Sequence, residues 1–196
     1  MLIGICGGIG SGKSVVSRVL RLRGEAVYDC DLEAKRIMDT SEEVLGALHE
    51  RHGDAVCPKG GPICRPELAR RIFGSDEERL WLNGLVHRLV REDVERWHAG
   101  RMDAGAPRCF VESAILASSG LAAMCDAIWL VETSDDVRIS RVKKRDSLTE
   151  EAIRSRIRSQ QEEESLLART DVPVMTIDNS GAVPLLQDIS DKASAL

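Results

Sequence analysis

Aromatic residues are scarce in this chain: three tryptophans, two phenylalanines and one tyrosine among 196 residues. Proteins that grip single-stranded nucleic acid stack bases on aromatic side chains, so that class has little to work with here. A basic excess is missing too. Lys and Arg number 27 against 32 Asp and Glu, a formal net charge of -5, the wrong sign for a partner made of phosphate backbone. Six cysteines are present (Cys6, Cys30, Cys57, Cys64, Cys109 and Cys125), but no two stand at the C-x-x-C spacing of zinc ribbons or redox motifs. Cys6, Cys30 and Cys109 lie in or beside apolar runs, where a free cysteine behaves as a small buried hydrophobe. Reduced, structural thiols and a cytoplasmic location are therefore expected. Long apolar runs are also lacking. The longest, 114–131, is interrupted by Ser118-Ser119-Gly120 and Asp126, so no transmembrane helix is expected. The opening apolar stretch has no basic leader and is broken from Gly7 to Lys13, so no signal peptide is expected. Neither an internal repeat nor a low-complexity tract is found.

What is present is an alternation. Leu2 to Cys6 reads as a buried strand and Lys13 to Arg23 as a helix stopped by Gly24. "EAVYDC" reads as a second strand, followed by a helix from Asp31 through Met38, and Ser41 caps another running to His52. Gly53 to Cys64 is a loop. Pro66 opens a helix ending near Gly74, and Ser75-Asp76-Glu77-Glu78 is a capping-box pattern opening a long helix through His98. "RCFVESAIL" and "DAIWLVE" are two further strands. A helix from Asp135 to Arg145, a charged helix from Thr149 to about Arg169, the strand "PVMTID" and a terminal helix follow. Apolar strands alternating with helices indicate α/β architecture, with a parallel sheet of five strands covered on both faces. Between the second and third strands, about 32–103, no strand is read, which marks a helical insertion.

Directly behind the first strand, Gly7-Gly8-Ile9-Gly10-Ser11-Gly12-Lys13-Ser14 matches G-x-x-x-x-G-K-[ST] at every position. In that pattern glycines let backbone N–H groups turn around a phosphate, and the dipole of the following helix adds to the attraction. Lys13 is expected to reach the β- and γ-phosphates and the Ser14 hydroxyl to ligate Mg²⁺. ATP is expected across Gly8, Ile9, Gly10, Ser11, Gly12, Lys13, Ser14 and Val15. No N-K-x-D occurs late in the chain, which argues against a GTPase. A short chain with a helical insertion and late basic helix suits a kinase for a small acceptor, partly by analogy of fold.

"VYDCD" ends the second strand with Asp29 and Asp31. On a strand these two share a face, toward the crevice beyond the strand ends, where a carboxylate can orient or deprotonate an acceptor hydroxyl. Either aspartate equally suits an N-cap of the next helix. His87 reads equally as a half-buried helix residue. Arg138, Arg141, Lys143, Lys144 and Arg145 read either as a solvated basic face or as phosphate clamps. Arg154, Arg156 and Arg158 stand near Glu162, Glu163 and Glu164, which suggests a self-paired helix surface.

On these residues the chain resembles the dephospho-CoA kinase family. The resemblance rests on the GGIGSGKS loop, the strand ending in Asp-x-Asp, "ICRPELARRIF", "WLNGLVHRLVR", "RISRVKKRD", "SRIRSQ" and "IDNSG", spanning residues 1 to about 181. It implies ATP-dependent phosphorylation of the ribose 3′-hydroxyl of dephospho-CoA, with Mg²⁺, on a P-loop fold. It implies Asp31 as base, Arg65 and His87 at the acceptor site with Asp29 nearby, and Arg141 as a lid arginine approaching the transferring phosphoryl group. Glu112, at the third strand's end, is expected to supply a carboxylate for substrate or metal. The chain departs from the family where a proline-led segment ending in glutamate is usual, for it carries Ala114-Ile115-Leu116-Ala117-Ser118 there, and Arg88 follows His87 where proline is usual. The expected organisation is a core of 1–31 and 104–196, a lid at about 138–165 and an acceptor-binding insertion of 32–103. Dephospho-CoA is expected between core and insertion, in a monomer or weak homo-oligomer needing neither nucleic acid nor membrane. A nucleotide-binding switch without acceptor and a catalytically silent interaction module are the competing readings.

Overall fold

The computed structural model describes residues 1–181 and 184–194. β1 (Leu2–Cys6), β2 (Ala26–Asp29), β3 (Cys109–Glu112), β4 (Ala127–Glu132) and β5 (Val174–Asp178) form one parallel sheet in the order β2-β3-β1-β4-β5. Every residue of β1 is buried, because it has a strand on each side and helices over its faces. Ile3 and Ile5 meet Val16 and Leu20 of α1 (Lys13–Leu22), Phe110, Trp129, Val131 and Ile177 of the neighbouring strands, and Ile189 of α9 (Leu185–Ser194). The Phe110 and Trp129 rings pack at 5.2 Å with a 56° tilt, a geometry that suits the aromatic quadrupoles. All six cysteines are free thiols. Burial, with Glu163 the next contributor, pushes the Cys6 thiol up to about 12, and burial pushes Cys125 up to about 12. Such thiols are inert packing groups.

Chain contacts divide the molecule into two compact units, Met1–Asp29 with Trp97–Leu196, and Cys30–Arg96. The second is helical. It holds α2 (Cys30–Thr40), α3 (Glu42–His52), α4 (Arg65–Phe73) and α5 (Asp76–Asp103) up to Arg96. Its buried apolar side chains include Ile37, Val44, Leu48, Val56, Leu68 and, every fourth residue along α5, Leu82, Val86, Val90 and Val94. Ser41 Oγ accepts the Val44 N–H at 3.4 Å, capping α3 as its position before Glu42 predicts. In the first unit, α6 (Asp135–Asp146) and α7 (Glu150–Ser159) join through a small cluster of Ile139, Val142, Ile153 and Ile157, and α8 (Gln161–Leu167) follows.

Three element boundaries differ from the pattern-based expectation. β2 ends at Asp29 and α2 begins at Cys30, so Asp31 is a helical residue and the shared strand face with Asp29 does not exist. β3 stops at Glu112 instead of continuing to Leu116; Ser113 Oγ accepts the Ile115 N–H at 3.1 Å and turns the chain out of the sheet. The charged helix breaks at Gln160 into α7 and α8. No helix among the described residues is long and apolar enough to cross a membrane.

Candidate active site

β1 delivers the chain to the glycine loop at the carboxyl edge of the sheet, the edge where open α/β sheets bind ligands. The turn into α1 is made by Gly12, whose φ of 104° lies in the left-handed region. A side chain there is excluded twice over, by the backbone and because a Cβ would land on the Asn179 amide. α1 starts with no side-chain cap and no acidic residue in its first turn, which leaves the positive end of its dipole to an anion. Ser14 and Val15 in that turn are exposed, Lys13 is half-buried, and Gly8, Ile9 and Gly10 are partly exposed.

The Ser11 N–H donates to the Gly8 carbonyl at 3.1 Å, and side chains supply donors to the loop's carbonyls as well. Lys13 Nζ donates to the Gly7 carbonyl at 2.7 Å and reaches that of Gly8 at 3.5 Å. Arg141 donates to the carbonyls of Gly10 at 3.4 Å, Ser11 at 3.2 Å and Asn179 at 3.0 Å, and Asn179 Nδ2 donates to Ser11 at 2.7 Å. The guanidinium of Arg141 thus stands behind the loop, on its backbone.

Glu112 ends β3 directly beside Asp29 of β2 and Ile5 of β1. Burial raises the Glu112 carboxyl above the ordinary range. The Ser17 hydroxyl lowers it in part, Asp29 raises it further, and Lys13 and Arg21 lower it. Ser17 Oγ and Glu112 Oε2 are buried and make no hydrogen bond of good geometry, so the hydroxyl acts as a nearby dipole only. The carboxylates of Asp29 and Glu112, on paired strands, and the exposed hydroxyl of Ser14 are hard oxygen donors of the kind Mg²⁺ selects. Among the described residues no three His, Cys, Asp or Glu side chains cluster to hold a metal by themselves, and Mg²⁺ in nucleotide sites takes few protein ligands in any case.

The raised Glu112 carboxyl has a consequence for stability. As pH rises from the ordinary carboxylate range through the folded-state value, the unfolded chain has released a proton that the folded chain still holds, so folding stability falls. Below both values the difference disappears. Glu112→Gln is therefore expected to raise Tm at alkaline pH, with the gain vanishing as pH falls through the ordinary carboxylate range. Thermal melts across pH check this; a variant no more stable than the parent at pH 8 would show the carboxylate to be adequately solvated.

Asp31 lies exposed in the first turn of α2, two residues after the end of β2. Arg65, the first residue of α4, is exposed and pairs with Asp39 at 2.5 Å. His87 is half-buried on α5. The basic residues of the last third divide by partner. Lys143 and Arg154 pair with Glu150, and Arg145 with Asp146, all near the surface. Arg138 is buried.

The self-paired surface expected around Glu163 is corrected by the structure. Glu163 is only 9% exposed and accepts the N–H groups of Ala117 at 2.5 Å and Ser118 at 3.1 Å. It closes the segment that replaces the extension of β3. No spacing rule pointed to it, since its partners are backbone amides 46 and 45 residues away. Gln160 was legible only as part of a family segment.

Comparison with known proteins places this geometry. The family model described as dephospho-CoA kinase matches residues 1–184. The dephospho-CoA kinase of Porphyromonas gingivalis is 41% identical over 164 residues, covering 84% of this chain and 79% of its own. That of Corynebacterium efficiens is 33% identical, covering 98% and 95%. A solved protein from Thermus thermophilus superposes with a TM-score of 0.80 at 32% identity, covering 100% and 96%. The dephospho-CoA kinase from Campylobacter jejuni, at 22% identity and a TM-score of 0.68 over 98% of this chain and 95% of its own, shares the fold. With a loop, sheet order and whole-length match of this kind, the chain belongs to the dephospho-CoA kinase family.

Proposed function

We propose that the protein transfers the γ-phosphoryl group of ATP to the 3′-hydroxyl of the ribose of dephospho-CoA, giving coenzyme A and ADP. The observation that carries this reading is the strand–loop–helix unit of β1, Gly7–Gly12 and α1, in a chain whose residues 1–184 match the kinase family. Gly8 to Val15 hold the phosphates. Lys13 turns its ammonium from the Gly7 carbonyl toward the β- and γ-phosphates. Ser14, Asp29 and Glu112 are the oxygen donors that would hold Mg²⁺. The ion, when bound, neutralises charge on the β- and γ-phosphates.

Asp31 takes the proton of the 3′-hydroxyl as that oxygen bonds to γ-phosphorus and the bond to the β-phosphate oxygen breaks. The charge that develops on the leaving ADP and the equatorial oxygens is met by Lys13 and the α1 N-terminus. Arg141 serves the same charge from behind, by fixing the loop that presents the N–H groups. The helical unit, with Arg65 and His87, binds the acceptor, whose pyrophosphate needs a cation. Both substrates are small molecules, Mg²⁺ is the cofactor, and a cytoplasmic monomer or weak homo-oligomer meets every requirement of the reaction.

ADP release measured with and without dephospho-CoA tests the activity: release is expected to depend on that acceptor. An enzyme that ignored it and phosphorylated a sugar or a nucleoside monophosphate would overturn the reading. Arg65→Ala tests where the acceptor binds. It is expected to raise KM for dephospho-CoA about 10-fold or more while KM for ATP changes little, because uniform ground-state binding is what is lost. An unchanged KM for dephospho-CoA would remove Arg65 from the acceptor site.

A further inference from the structure

Ile9 is the second variable residue of the glycine loop, a position whose side chain the motif leaves open, yet every part of it is held. Its N–H donates to Gln160 Oε1 at 2.7 Å and its carbonyl accepts from Arg138 Nε at 3.0 Å. Its side chain packs against the apolar cluster of Ile139, Val142, Ile153 and Ile157, between α6 and α7. The two polar partners are linked to each other, with Arg138 Nη2 at 3.5 Å from Gln160 Oε1 and Nη1 at 3.3 Å from Asp135. Arg138 is only 8% exposed, and its guanidinium occupies the place a Cβ of Gly8 would take. Gln160 sits at the break between α7 and α8. Three residues later, Glu163 fixes the same junction to the amides of Ala117 and Ser118.

We propose that Gln160 and Arg138 are positioning residues for the phosphate loop, setting its shape through the two ends of the Ile9 peptide and so making ATP binding depend on the α7–α8 junction. Neither touches the reacting atoms. The proposal rests on the reading that this loop holds the phosphates of ATP, and it goes beyond that reading by assigning the loop's shape to two side chains outside the motif. The chemistry is restrictive. An amide N–H needs an acceptor, so it is the carbonyl oxygen of Gln160 that faces Ile9. Arg138 suits its place because a planar guanidinium donates to the Ile9 carbonyl, to Gln160 and to Asp135 at once, which an ammonium cannot do in that plane.

Gln160→Leu keeps the volume and removes the acceptor, leaving the Ile9 N–H without one, whereas Gln160→Glu keeps an acceptor oxygen and the pairing with Arg138. Titration calorimetry with ATP in the absence of dephospho-CoA, beside steady-state kinetics, separates them. Gln160→Leu is expected to weaken ATP about 10-fold or more, the effect of one unsatisfied, partly buried donor, with KM for dephospho-CoA within about twofold of the parent. Gln160→Glu is expected to recover ATP binding to within about threefold. Arg138→Met should resemble Gln160→Leu, and the double variant should lose no more than the worse single one, because both act on one peptide.

Parent-like ATP binding by Gln160→Leu would overturn the proposal. So would equal losses toward both substrates, or a Gln160→Glu variant as weak as Gln160→Leu. Should Arg138→Met fail to fold, the two Gln160 variants decide alone. A parent enzyme that binds ATP and ignores dephospho-CoA overturns the acceptor assignment only, since this measurement is made on ATP.

Discussion

Lys13→Ala is expected to lower turnover by at least about 10³-fold while far-UV circular dichroism and melting stay near those of the parent. Its Nζ rests on the Gly7 carbonyl at 2.7 Å, inside the loop and half-buried, where a charge is screened less than at the surface. Phosphoryl transfer asks little covalent chemistry of the protein and much electrostatic stabilisation. Removing the one motif cation therefore removes much of what the loop supplies. The fold has little stake in it, because β1 and α1 are held by Ile3, Ile5, Val16 and Leu20. The loop carbonyls of Gly10 and Ser11 keep Arg141 and Asn179. A folded Lys13→Ala protein turning over at a near-parental rate would rule out the loop as the phosphoryl site.

Asp31→Asn is expected to lower kcat by about 10²-fold or more and to leave KM for ATP little changed, as loss of a general base does. The substitution preserves size and hydrogen-bonding shape. In the first turn of α2 it costs only the few tenths of a kcal/mol that a carboxylate gains from the helix dipole. Folding and catalysis are thereby separated: a structural residue would tolerate Asn, and a base would not. Steady-state kinetics with each substrate varied in turn reads the result. Retained turnover would move the role to Asp29, at the end of β2.

What could be read from residue order follows the range of the forces involved. Gly12-Lys13-Ser14 was legible because a left-handed turn, a cation and an uncapped helix start are all local. β1, β3 and β4 were legible because burial on both faces leaves nearly unbroken apolar runs such as Leu2–Cys6, and the edge strands β2 and β5, less buried, were legible from their short β-branched and aromatic runs. The change at Cys30 was not, since "VYDCD" suits a strand end and a helix start equally and packing chooses between them. The partners of Glu163 and Gln160 were illegible for a stronger reason. Within "SQQEEES" both look like solvated polar residues, and only a partner far away in the chain, 46 residues for Ala117 and 151 for Ile9, draws them inward. Arg141 was singled out in the sequence only through the resemblance, and its place on the carbonyls of Gly10 and Ser11 depends on the docking of α6.

The central position of β1 has a further consequence, in the order of synthesis. The first strand to be made pairs with β3 and β4, so it waits for residues beyond 109 before it has any neighbour in the sheet. The loop that follows it waits longer, since its backbone is closed by Arg138, Arg141, Gln160 and Asn179. The motif of Gly7 to Ser14 is thus made well before the residues that close its backbone. Such non-local closure slows folding. It also means that a chain cut short near residue 170 keeps every residue of the motif and loses both β5 and Asn179.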